Sequence, residues 1–122
     1  MAISNVSVAQ ISGANIFIDT ANAATVIAIK GSAGTIYELE LDNSANVAAS
    51  YLKLFDLGSG SVVLGTTVPD WVIKVPASSK ITIALPSGVA FGTALSAAST
   101  TAGGTAGSTP PSSNFSIKIV YA

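Results

Sequence analysis

Short segments in which apolar and polar side chains alternate recur along the chain, and each is bounded by Gly, Pro, Asn or Ser. A period of two is the spacing of a β-strand, and turn-forming residues at this frequency separate short strands. No stretch of about a dozen residues carries the apolar stripe of an amphipathic helix. We therefore predict an all-β chain. The expected strands are residues 4–9, 15–19, 25–30, 35–42, 51–56, 71–75, 80–85, 95–100 and 115–121.

The alternation also predicts which side chains are buried. In residues 35–42 the expected core-facing set is Tyr37, Leu39 and Leu41. The expected solvent-facing set is Ile36, Glu38, Glu40 and Asp42. In residues 115–121 the expected core-facing set is Phe115, Ile117, Ile119 and Tyr121. Half-buried strands need a second sheet about 10 Å away, so we predict one antiparallel β-sandwich domain over residues 1–122, jelly-roll-like, with a small closed β-barrel as the alternative.

The charge and the length of the chain exclude several classes of function. Its 122 residues are enough for one domain with its own core, but they include no Cys, His or Arg, and the net charge is -1. The basic cluster that nucleic-acid binding requires is missing, and no apolar run approaches the roughly 20 residues of a membrane span. The amino terminus shows no secretory signal, so we expect synthesis in the cytoplasm. We expect no cofactor, no nucleic acid or membrane partner and no small-molecule substrate.

Candidate catalytic groups are few. Without His and Cys, nucleophilic catalysis would need a Ser–Lys or carboxylate arrangement, and neither occurs at a recognisable spacing. We interpret Glu38, Glu40 and Asp42 as solvated charges on one strand face. Residues 30–35, KGSAGT, precede a strand and lack the ending of a phosphate loop, which favours a hairpin turn. Trp71 heads an apolar strand and is interpreted as core or interface rather than a sugar-stacking ring. We predict that the chain is not an enzyme.

The segment AASYLKLFD, residues 48–56, is apolar on both faces. A strand with one wet face would show a polar side chain at every second position. Leu52 and Leu54 are therefore predicted to face the core, while the opposite face needs another cover. We expect a neighbouring subunit there. The interface candidates are Tyr51, Lys53 and Phe55.

Two segments between strands are rich in turn residues. Residues 56–70 contain three glycines and a proline, which predicts a hairpin or a long connection with Val62, Val63 and Leu64 as a short strand or a packed tip. Residues 101–114 contain no charge and no large side chain. Such a loop buries too little apolar area to offset its ordering entropy, so we expect it to be exposed or partly disordered unless contacts outside its own domain hold it.

Three stretches together resemble small β-sandwich proteins encoded among the virion genes of tailed bacteriophages. They are GSAGTIYELELDNSANVAASYLKLFD, VPDWVIKVPASSKITIALPSGVAFGTALSAAST and FSIKIVYA. The resemblance covers residues 30–122 and implies a capsid decoration (cement) protein that binds the major capsid protein on the outer face of the phage head, as a homotrimer in the virion. A tail, neck or fibre accessory subunit and a carbohydrate-binding sandwich module are the alternatives.

Overall fold

The computed structural model describes residues 13–19 and 25–122. Their strands are β1 (Asn15–Asp19), β2 (Ile27–Lys30), β3 (Gly34–Asp42), β4 (Ser50–Phe55), β5 (Trp71–Val75), β6 (Lys80–Phe91), β7 (Leu95–Thr100) and β8 (Ser116–Tyr121). One turn of 3-10 helix spans Ser59–Ser61. The strand predicted at residues 4–9 lies outside the described residues. Each of the other predicted strands is present, and β6 is six residues longer than expected because it continues to Phe91.

Two four-stranded antiparallel sheets make up the described fold. The front sheet has the order β1-β8-β3-β6 and the rear sheet the order β2-β7-β4-β5. The pairs β4·β5, β3·β6, β2·β7 and β1·β8 are nested hairpins of one rolled ribbon, which is the jelly-roll arrangement. The predicted sandwich is confirmed, and the barrel alternative is wrong because the sheets do not close.

The core lies between the two sheets. Leu39 and Ile119 of the front sheet and Leu52 of the rear sheet have no exposed surface, and all three belong to one apolar cluster. Leu54 belongs to the same cluster, so the predicted core face of β4 is confirmed. Burying a side chain of this size contributes about 1.5–3 kcal/mol.

A β-bulge in β3 changes the predicted faces at its first residues. Ile36 lies opposite Tyr121 of β8 and Glu38 lies opposite Val120, so Tyr37 is an extra residue on β3. A bulge shifts the alternation on one side of it. Ile36 is consequently buried in the core, and the predicted places of Ile36 and Tyr37 are wrong. The Tyr37 ring lies beside Gly88, where a positive φ of 71° favours glycine and an added Cβ would clash with the ring.

The hairpin predicted at residues 30–35 is also wrong. β2 pairs with β7, whereas β3 pairs with β6 and β8, so residues 31–33 cross from one sheet to the other. Residues 56–70 join the neighbouring strands β4 and β5, which confirms the predicted long hairpin connection. Within it Val62 is buried and Leu64 is partly buried, as expected for a packed tip. Val63 is 60% exposed, so the prediction is wrong at this residue.

Candidate interaction surface

The second face of β4 is covered by the chain itself. Lys53 and Phe55 are both 0% exposed in the single chain. They therefore have no surface on which a neighbouring subunit could pack, and the predicted interface is wrong at these two positions. Tyr51 is half-buried, and its place in an interface stays a prediction.

Residues 101–114, here called the strap, cross the outer face of the rear sheet above Lys53. The Lys53 Nζ atom donates hydrogen bonds to the carbonyl oxygens of Gly104 and Gly107, at 2.6 and 2.7 Å. Gly103 lies against the Tyr51 ring, and a Cβ added there would be only 2.8 Å from Cδ1 of that ring. The absence of side-chain bulk in the strap is therefore what lets its backbone approach β4.

Phe55 is covered by the connection between β4 and β5. Its ring belongs to a second apolar cluster with Val62 and Ala98, against which Leu57 and Leu64 also pack. This connection meets the strap, because a Cβ on Gly65 would be 3.6 Å from the Ala106 carbonyl oxygen. Two loops from opposite ends of the sandwich thus form a third layer, and every residue of β7 beneath them is buried.

The Lys53 ammonium is compensated by backbone dipoles. No ion pair involving Lys53 is formed within the described residues, where lysine–carboxylate pairs join Lys80 to Asp42 and Lys118 to Glu40. Burial lowers the pKa of Lys53, because removal from water disfavours the charged form. A lysine with a lowered pKa can be a nucleophile, but this one has no exposed atom for a substrate to reach. We therefore interpret Lys53 as the group that fixes the strap.

The carboxyl end of the strap is fixed by two buried asparagines. Asn46 Oδ1 accepts a hydrogen bond from Ser113 N at 2.8 Å, and Asn46 Nδ2 donates to the carbonyl oxygens of Ser113 and Asn114. Asn46 Nδ2 also donates to Asn43 Oδ1 at 2.9 Å, and Asn43 Nδ2 donates to the Val75 carbonyl oxygen. The expectation that only contacts outside the domain could order residues 101–114 is therefore wrong.

At the opposite end of the sandwich, Asp56 fastens the β4–β5 connection to the β6–β7 turn. Its carboxylate accepts backbone N–H groups from Gly92 at 2.8 Å, Thr93 at 2.7 Å and Ala94 at 3.2 Å. These hydrogen bonds, that of Gly92 first, hold the pKa of Asp56 below its ordinary value. Asp70 Oδ2 in turn accepts the Asp56 N–H at 2.7 Å.

A cleft of about 240 Å³ opens beside Asp56, between the ends of the two sheets. Trp71, Phe91 and Asp70 line it together with core residues. Trp71 is half-buried and packs against the main core cluster, as its predicted core or interface position requires. The cleft thus combines an indole ring with a carboxylate whose second oxygen faces no hydrogen-bond donor among the described contacts.

The outer face of the front sheet has no layer of described residues above β1. Ile16 and Ile18 are 60% and 63% exposed, and they lie opposite Val120 and Lys118 of β8. Further across the sheet, Lys118 Nζ pairs with Glu40 at 3.0 Å. An apolar strip therefore adjoins a charged one on a single sheet face.

The acidic residues of this face agree with solvated charge. Glu40 pairs with Lys118, and Asp42 pairs with Lys80 at 3.3 Å. Exposed pairs of this kind contribute about 0–1 kcal/mol. Within residues 13–19 and 25–122, no group of three His, Cys, Asp or Glu side chains could hold a metal ion.

Comparisons with known proteins identify no relative. No family model, no curated protein and no solved structure matches the chain. The part of the chain that the structure describes contains no helix long and apolar enough to cross a membrane. The fold and the surface chemistry therefore carry the functional argument.

Of the features above, sequence patterns had indicated the acidic strip and the core face of β4. They missed the hydrogen bonds between Lys53 and the strap, although the sequence shows both a lysine on an apolar strand face and a glycine-rich loop. They also missed the hydrogen bonds of Asp56 and the exposed isoleucines of β1. Ile16, Phe17 and Ile18 are consecutive apolar residues, so β1 has no alternation that marks its buried face.

Proposed function

We propose that this chain is a non-enzymatic structural protein of a virion, and specifically a capsid decoration protein that binds the outer face of a phage head through the major capsid protein. The resemblance over residues 30–122 supports this function. The jelly roll also supports it, because viral capsid domains commonly have this architecture. Since one fold serves many functions, the surface must carry the argument further.

The observation that carries the proposal is the outer face of the front sheet. Ile16 and Ile18 expose more than half of their surface and lie next to Val120, with the Lys118–Glu40 ion pair at the side. Apolar residues with charged neighbours around them are the usual anatomy of a protein–protein interface. Full burial of an isoleucine contributes about 1.5–3 kcal/mol, and a partner surface would recover the share that belongs to the exposed part of each side chain.

Binding to particles tests this function directly. Heads of the phage that encodes the chain, prepared without this protein, are incubated with wild type, with an Ile16→Lys, Ile18→Lys double variant, or with Val47→Lys. Val47 is 90% exposed on a loop and serves as the matched control. Wild type and the control should sediment with the heads and raise their disruption temperature, whereas the double variant should do neither. Failure of wild type to bind would contradict the proposal.

The number of copies is proposed from the resemblance alone. Decoration proteins of this kind occupy threefold sites, which favours three copies of the chain at each site. Lys53 and Phe55, which are buried within the subunit, no longer support a trimer contact. A cryo-EM map of decorated heads would count the copies and would also distinguish a head position from a tail, neck or fibre position.

Carbohydrate binding is the second candidate function, and the cleft beside Trp71 favours it. An indole ring with a nearby carboxylate can stack on and hydrogen-bond to a sugar. Because Trp71 is the only tryptophan of the chain, its fluorescence reports on this cleft directly. A saturable shift on titration with a glycan, lost in Asp70→Ala, would support a lectin-like module. No shift with any member of a glycan panel would reject it.

A further inference from the structure

The two sheets of the described residues have four edge strands, which differ in how they are protected. The front sheet ends at β1 and β6, and the rear sheet ends at β2 and β5. An unprotected edge pairs readily with another strand, and natural proteins prevent this with prolines, lysines, bulges or covering loops. The residues of each edge therefore indicate whether a partner strand is excluded or accepted.

Three of the edges carry such protection. β2 has a register shift between Ala28 and Lys30 and ends in that lysine. β5 contains Lys74 and is followed directly by Pro76. β6 contains Pro86, which cannot donate to a ladder. Each of these edges is thus poorly suited to extending its sheet.

β1 has none of these features. Its sequence, Asn15-Ile-Phe-Ile-Asp19, contains no proline and no lysine, and its five residues pair with β8 without a register shift. Among the described residues no strand pairs with its other side. The exposed Ile16 and Ile18 lie on this same strand.

The β1 sequence is also complementary to itself. In both directions along β1 from Phe17, the next residue is an isoleucine and the one after it has a short polar side chain. We propose that β1 pairs antiparallel with β1 of a second copy, about a two-fold axis at Phe17, so that two front sheets form one eight-stranded sheet. A two-fold axis requires one self-complementary patch, and β1 provides it.

The register of this pairing follows from the axis. Ile16 lies opposite Ile18 of the second copy, and Phe17 lies opposite Phe17. Apolar cross-strand pairs stabilise a ladder, and no two like charges face each other. The paired isoleucines continue the strip begun by Val120, so the dimer presents a doubled apolar strip on one face.

This pairing does not depend on the proposed virion function, because it requires no particle. Its failure would leave head binding by a single copy untouched, and failure of head binding would leave the dimer untouched. A trimer in solution would support the three copies proposed at a threefold site and would exclude the two-fold dimer as the main species.

Sedimentation equilibrium over a dilution series tests the pairing. Wild type should be a dimer that dissociates on dilution, and Ile16→Lys should raise the dimer dissociation constant at least tenfold. Val47→Lys should leave this constant unchanged, and circular dichroism should show both variants folded. A wild type that is monomeric throughout, or trimeric, would overturn the proposal.

Disulfide trapping tests the register. The chain has no cysteine, so Ile16→Cys and Ile18→Cys each introduce a single thiol. Directly opposed residues in an antiparallel pair are close enough for a disulfide, at about 4.5–5.5 Å. After air oxidation, an equimolar mixture should give mostly the mixed 16–18 disulfide. Disulfides between identical variants in equal or greater yield would overturn the proposed axis.

The alternative to a second copy is that the chain's own residues 1–12 cover β1. Amide hydrogen exchange distinguishes the two. In a dimer, the β1 amides that point away from β8 should lose protection as dilution produces monomer. Protection that stays the same in the monomer would show that the chain covers its own edge, and would overturn the proposal.

Discussion

A single lysine determines how the rear sheet is covered. Lys53 lies on β4, an inner strand of the rear sheet, and its side chain points away from the core. Its Nζ atom donates to two carbonyl oxygens of the strap. The strap backbone can come this close because Gly103 has no side chain. A buried charge is costly unless it is hydrogen-bonded, and a carbonyl that loses its donor is costly too. The strap and the lysine therefore depend on each other.

Replacement of Lys53 by methionine should loosen the strap. The aliphatic volume is kept, but the Gly104 and Gly107 carbonyl oxygens lose their donor, at a cost of about 1–3 kcal/mol in the free energy of unfolding. Amide exchange at Gly107 and Thr101, which are hydrogen-bonded within the strap, should become faster. Lys74→Met, on an exposed position of β5, is the control. Unchanged strap exchange in Lys53→Met would contradict this role.

Asp56 should make the stability depend on acid. Its pKa in the folded state is lower than the ordinary value of 3.8, so the unfolded state binds a proton more tightly. The stabilisation is present above that ordinary value and is lost as the pH falls through the folded-state pKa. Urea unfolding should show Asp56→Asn to be less stable than wild type at neutral pH, with the difference shrinking in this acid range. A difference that does not change with pH would count against the N–H cluster at Gly92, Thr93 and Ala94.

At the scale of elements, alternation predicted that both faces of β4 are buried but not what buries them. The same pattern arises whether the cover is another subunit or a loop of the same chain. The covering loop lies about 50 residues away in sequence, and its cation–carbonyl contacts have no periodic signature. Lys53 was therefore predicted to lie in a subunit interface, and only the three-dimensional structure shows the strap above it.

The strands themselves were predictable because each is amphipathic over a short range. β8 follows strict alternation, and its buried residues Ile117 and Ile119 were assigned correctly. In β3 the bulge at Tyr37 interrupts the period, and nothing local in the sequence marks it. The sheet crossover after Lys30 was likewise hidden, since a glycine-rich turn looks the same within a hairpin and between sheets.

The strap should tolerate side chains only where it stands away from β4. A Cβ on Gly103 would lie 2.8 Å from the Tyr51 ring, whereas a Cβ on Gly104 would meet nothing within 4 Å. Gly103→Val should therefore destabilise the fold by about 1–3 kcal/mol and speed strap exchange, as overpacking does elsewhere. Gly104→Ala should be neutral in the same thermal and exchange measurements. Equal effects of the two substitutions would contradict this arrangement of the strap.

At the scale of the whole molecule, the two ends of the sandwich are fixed by different polar groups. Asn43 and Asn46 join three connections at one end, and Asp56 joins two at the other. No buried side-chain nitrogen or oxygen of the described residues lacks a hydrogen bond. Complete satisfaction of buried polar groups favours a single well-defined packing.

The strand order predicts slow refolding. Of the strand pairs in the two sheets, only β4·β5 joins strands that are consecutive in the chain. Sandwiches dominated by distant pairings fold in about milliseconds to seconds. Stopped-flow refolding from urea should fall in this range, followed by Trp71 fluorescence. Relaxation in microseconds would mean that the transition state does not require the distant pairs.

The rolled ribbon also has a consequence for synthesis on the ribosome. β1 leaves the ribosome before the other described strands, yet its hydrogen-bonding partner β8 leaves last. During translation, which adds about 5–20 residues per second, β1 waits several seconds for β8, its partner among the described strands. The nascent chain is therefore most open to mispairing between polysome neighbours at the strand whose edge remains least protected after folding.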